Sequence, residues 1–287
     1  MYTSVQELVN AINNQTTYKV QLTSKFKDGR LREALKVSGE ETWLSPIIYD
    51  PEFMLEYNMQ EVVDFINKCY KDAGIDRQEV VKFFENKDLL LDKVYPEVVN
   101  HDKYLSHIED RNLVTMDYLD LSELYYLSLG EGMRVKLTKE HIENLGITLS
   151  ELRDCARANN YGEVKLKTMN QIIMEMMGKA YDELDLPDVD DFMWVLTRKD
   201  NMFGASYIAD YQVLSYCAEK IGCDKLIILP SSRHELILVK YSINTEAEEL
   251  YNMVSSVNRT EVKEEDFLSN NVYLFDNEAY TLDYLKY

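Results

Sequence analysis

Residues 226–239 read LIILPSSRHELILV, two fully apolar runs around a polar knot, Pro230-Ser231-Ser232-Arg233-His234-Glu235. Short runs of branched aliphatic residues bounded by turn-forming residues signal buried strands. The stretch therefore predicts two inward-facing strands joined by a bend, with Pro230 ending the first. Downstream, the spacing predicts a helix over 245–257 and a strand pair over 272–275 and 280–285. Upstream lie expected strands at 192–197 and 204–208, then a helix over 210–221 closed by Gly222. Connections this short favour antiparallel neighbours.

The remaining chain follows the same rules. Ser4 with Glu7 forms a capping-box pattern ahead of a helix carrying Val5, Leu8, Val9 and Ile12 on one face. Alternation over Tyr18–Phe26 and Leu31–Val37, with Asp28-Gly29 between, predicts a hairpin. A third strand over 42–49, a short helix from Pro51 and an amphipathic helix over 62–70 come next. Residues 78–86 read as helix, and 93–99 fit either strand or helix. Strands are expected from 113 to 137, then helices over 139–144 and 149–158, and a Met-rich helix opened by Thr168. The fold class is α+β: mostly antiparallel sheet with packed helices. Two lobes, 1–115 and 116–287, are expected, although no linker composition marks their boundary.

Composition narrows the function classes. The 287 residues carry 51 acids against 31 bases, a net charge of −20. So negative a surface repels phosphate backbones and anionic membranes, which disfavours direct nucleic-acid binding. It suits solubility, or imitation of nucleic acid toward a basic groove. Apolar runs of four or five residues are too short to span a bilayer. The N-terminus, MYTSVQELVN, lacks the basic start and apolar core of a secretory signal. Cys69, Cys155, Cys217 and Cys223 form no CxxC pair and read as reduced thiols of a cytoplasmic protein.

Several phrases carry a resemblance: SPIIYDPEFMLEYNMQEVVDFI, DYLDLSELYYLSL with MRVKLTKEHIENLGITLSEL, and, most strongly, LTRKDNMFGASYIADYQVLSYCAEKIGCDKLIILPSSRHELILV with VNRTEVKEEDFLSNNVYLFD behind it. In this order they resemble a bacterial domain-of-unknown-function family, number 5688. The likeness runs over nearly the whole chain and departs from the family's pattern at 159–167, where Pro-rich text is expected. It implies an intracellular protein of bacterial or phage origin. It carries over no activity, cofactor or catalytic residue.

The knot holds the ingredients of a nucleophilic triad in Ser231, Ser232, His234 and Glu235. On an extended chain, however, Ser232 and His234 stand roughly 6.6 Å apart with parallel side chains, and no GxSxG elbow exposes a serine. A structural turn is the competing reading. Asn201, Gly204 and Ser206 in NMFGAS form a second candidate binding segment, because small residues permit close backbone approach. Asp188, Asp190 and Asp191 could gather a cation but lack EF-hand spacing. His101, His107, His141 and His234 form no zinc motif, and no phosphate loop is present, so neither metal nor cofactor is expected. The 21 tyrosines fit packing and protein contacts alike. The leading expectation is a non-enzymatic acidic interaction protein, one version being an inhibitor that mimics nucleic acid. A hydrolase at the knot and a small-molecule sensor on the C-terminal sheet are the alternatives.

Overall fold

A computed structural model describes residues 2–27, 30–38, 47–72, 77–130, 133–177 and 192–286. The chain forms two compact units, residues 1–85 and 86–287.

In the first unit, α1 (Val5–Gln15) is capped by Ser4, whose hydroxyl accepts the Glu7 N–H at 3.2 Å. Strands β1 (Lys19–Lys27) and β2 (Arg30–Ser38) pair antiparallel with Lys27 opposite Arg30, and β3 (Ile47–Tyr49) adds to β2. The Asp28-Gly29 turn and the expected strand start before residue 47 lie outside the described residues. A 3₁₀ helix (Pro51–Glu56) begins on its proline, and α2 (Met59–Asp72) and α3 (Arg77–Glu85) follow. Leu8 and Ile12 of α1 share a buried cluster with Leu35 and Val37 of β2 and with Val62 and Ile66 of α2. These are the residues that periodicity placed on inward faces.

Among the described residues, the second unit contains two antiparallel sheets. One has β4 (Val94–Asn100), β6 (Leu121–Gly130) and β5 (Thr115–Tyr118) in that order, with β7 (Met133–Lys136) also on β6. Helices α4 (Lys87–Leu91) and α5 (His101–Asp110) flank β4 in sequence. Then come α6 (Lys139–Asn144), α7 (Leu149–Tyr161), β8 (Val164–Thr168) and α8 (Met169–Met177). The other sheet runs β13-β12-β10-β11-β9-β8, where β9 is Met193–Arg198, β10 Lys225–Ser232, β11 Glu235–Lys240, β12 Tyr273–Asp276 and β13 Thr281–Tyr284. Helices α9 (Tyr211–Ile221) and α10 (Ala247–Thr260) are the remaining α-helices of the unit among the described residues.

The apolar run of β10 has a direct explanation. Leu226 and Ile228 join one core with Leu196, Leu214 and Phe275, while Ile227 and Leu229 join another with Ala247 and Val254 of α10. A central strand covered on both faces needs no polar alternation. The first of these cores also contains Val98 of β4 and Leu121 of β6. Residues 86–115 are therefore part of the larger unit, and the division falls at 85/86 instead of 115.

Two local expectations change. The segment expected as a strand at 204–208 is a 3₁₀ helix, Gly204–Ala209. Phe203 adopts a left-handed φ of 56° and turns the chain, so the Ser206 N–H bonds to the Phe203 carbonyl at 3.0 Å instead of joining a ladder. Pro230 does not end β10, which continues to Ser232 through a register shift after Leu229. At such an irregularity the missing proline N–H costs no ladder bond.

Candidate functional site

The two segments singled out by sequence meet in space. Chain reversal occurs at Arg233-His234, between the paired Ser232 and Glu235. The Gly204 N–H donates to the His234 carbonyl at 3.0 Å and the Ala205 N–H to the Arg233 carbonyl at 3.3 Å. The Thr197 hydroxyl also donates to the His234 carbonyl, at 2.8 Å. A Cβ on Gly204 would lie 2.5 Å from the Thr197 Cα and 2.6 Å from that carbonyl oxygen. Backbone approaches this close require glycine.

The knot's side chains are committed to this turn. Ser232 Oγ accepts the His234 N–H at 3.0 Å, and Ser231 Oγ donates to Glu235 Oε1 at 3.1 Å. His234 Nδ1 accepts the Phe203 N–H at 3.2 Å, which places the proton of the neutral ring on Nε2. Nε2 faces Asp266 Oδ1 at 3.1 Å. A histidine held by a carboxylate on one side is half of a triad, but a general base needs its other nitrogen for the nucleophile. Here that nitrogen holds a backbone N–H. Pro230 and Ser231 line a cavity of about 110 Å³ with Ile237, Val254 and Val257. Its volume is below the usual range for ligand pockets, about 300 Å³ upward.

Arg233, which sequence reading passed over, ties the turn to β4. It is 7% exposed and ion-pairs with Glu97 on β4, itself 1% exposed. It also donates to the Tyr104 hydroxyl at 3.0 Å and the Glu265 carbonyl at 3.1 Å. Lys136 Nζ lies 3.5 Å from the second Glu97 oxygen. Burial alone would push the Glu97 carboxyl up, but the charges of Lys136, Arg233 and Arg134 hold it down at about 2. The signal that could have found it is a lone carboxylate inside VYPEVV, an otherwise apolar strand. Phe203 lies beneath both arginines, with Arg134 4.2 Å and Arg233 5.4 Å from its ring centre.

The other candidates separate. Asn201 accepts from Lys165 Nζ at 2.8 Å on the surface, whereas Ser206 is buried and accepts from Asn160 at 3.1 Å. Asp188, Asp190 and Asp191 lie outside the described residues. Among the described residues, no group of three His, Cys, Asp or Glu side chains could hold a metal ion, and no helix is long and apolar enough to cross a membrane. Cys217 is buried, and burial pushes its thiol up to about 12, which makes it an inert packing residue.

No curated protein and no solved structure shows a significant match to the chain. A family model does, over residues 2–277, a span that includes the turn and most of both compact units. The chain belongs to DUF5688, a family of unknown function.

Proposed function

We propose that this is a non-enzymatic binding protein of the bacterial or phage cytoplasm, whose acidic surface occupies a basic site on another macromolecule in the manner of nucleic acid. The observation that carries the non-enzymatic half is the imidazole of His234, engaged at Nδ1 by the Phe203 N–H and at Nε2 by Asp266. With Ser231 and Ser232 also bonded within the turn, the residue types that suggest a hydrolase serve the bend. The net charge of −20 supports the interaction half. Long-range complementarity of this kind steers a basic partner and is screened by salt.

The test is affinity capture from the native cell at low salt. Basic, nucleic-acid-binding proteins should be retained, released by raising the salt, and competed by added duplex DNA. Retained partners that resist both salt and DNA would refute charge mimicry. Ester hydrolysis by purified protein that disappears in His234→Ala would refute the non-enzymatic reading.

A further inference from the structure

A cavity of about 770 Å³ opens in the second unit, remote in sequence from the Arg233-His234 turn. Its walls come from α7, the end of β5, the start of α9 and the β12–β13 turn. We infer that this pocket binds a small organic anion carrying a planar ring. The inference is independent of the acidic surface discussed above.

The volume is that of small-molecule sites. Arg153 and Arg157, four residues apart on α7, lie on one helix face and both line the pocket. The Nε atom of each is buried and has no hydrogen-bond partner among the described residues. Both side chains remain partly exposed on the cavity wall, at 30% and 23%. Arg157 is held in place from behind: it donates to the Tyr118 hydroxyl at 2.8 Å and lies 3.5 Å from the buried Glu123 carboxylate. A planar guanidinium fixed in this way matches the oxygen pair of a carboxylate or phosphate.

The pocket's own carboxylates do not fill that role. Asp210 caps α9, accepting the Gln212 and Val213 N–H groups at 3.1 and 3.3 Å. Asp154 is 69% exposed, and its nearest approach to Arg153 Nε, 3.9 Å, is a charge contact beyond hydrogen-bond range.

Rings supply the other half of the site. Tyr118, Tyr211 and Tyr280 line the cavity, and Tyr280 stands edge-on to Tyr211 with centroids 5.7 Å apart. Tyr280 is also held at a left-handed φ of 56°. A bulky aromatic residue adopts that conformation at a cost, and such strain concentrates where a side chain must be aimed at a ligand. Aromatic faces of this kind pack a planar ring.

Thermal unfolding and titration calorimetry of the full chain test the inference, with indole-3-acetate and uridine monophosphate as probes and indole and inorganic phosphate as half-ligand controls. At least one probe should raise the unfolding temperature and bind at least about tenfold more tightly than either control. A carboxylate preference would indicate an organic acid, and a phosphate preference a nucleotide. Arg153→Gln and Tyr280→Asn should each weaken binding about tenfold, the scale of one lost charge-assisted or stacking contact. Asn tolerates the left-handed conformation, so Tyr280→Asn separates lost binding from lost folding. Failure of both probes to bind at about 5 mM, where the binding free energy falls to about 3 kcal/mol, overturns the inference. So does binding that both variants leave unchanged.

Discussion

Replacing Glu97 with Gln removes the anion that Arg233 and Lys136 share while nearly preserving volume. Both cations then lose the carboxylate they share. Breaking a buried pair from one side costs about 3–5 kcal/mol, or roughly 6–20 °C in unfolding temperature for a unit of this size. The cost depends on pH in a defined direction. The folded-state carboxyl titrates at about 2 and the unfolded one at its ordinary 4.5. A depressed folded value gives stability that is complete above 4.5 and is lost as pH falls toward 2. The linkage relation puts that contribution at about 3 kcal/mol at neutral pH and about 1 kcal/mol at pH 3. The gap between wild type and Glu97→Gln should therefore narrow by about 2 kcal/mol between pH 7 and pH 3. Urea unfolding at the two pH values measures it. A Trp43→Phe background leaves Trp194, buried in β9, as the only tryptophan reporting on this unit. A gap of equal size at both pH values would refute the assignment of Glu97 as the charge that anchors the turn.

Gly204→Ala should destabilise the second unit by about 3 kcal/mol, the upper end of overpacking costs, since the added methyl meets backbone at 2.5 and 2.6 Å; an unchanged urea midpoint would show that the two segments do not touch. Asp120 accepts from Ser269, Asn271, Tyr273 and Tyr284, so Asp120→Asn should cost about 2 kcal/mol by chemical denaturation, typical of bonds to a charged acceptor. Burial foremost, with Lys136 and Arg111, pulls His107 down to about 4. Its ring should remain neutral by NMR at pH 5.5, where a free imidazole is mostly protonated; a charged ring there would show the site to be wet.

Much of the fold was legible because the relevant signals are local. The cap at Ser4, the stop at Gly222 and the alternation of β1 and β2 each act within a few residues. The errors fell where a distant partner decides local structure. Residues 204–208 carry the apolar character of a strand, yet the Gly204 N–H belongs to the His234 carbonyl and Phe203 turns the chain. Strand β8, in the stretch that departed from the family's pattern, is half-buried throughout, and its five residues are too short a run to stand out until they pair with β9.

The candidate site divides along the same line. Residue types alone signalled two buried strands joined by a reversal within residues 230–235, because aliphatic runs and turn-formers act on their own neighbourhood; the reversal itself is confined to Arg233-His234, between the paired Ser232 and Glu235. Only tertiary structure decided what the bend's polar groups do: His234 is occupied by Phe203 and Asp266, and Arg233 by Glu97, partners 31, 32 and 136 residues away. Burial makes those pairings obligatory, since a charge or donor removed from water must find a partner wherever the chain brings one, and no sequence pattern encodes that encounter.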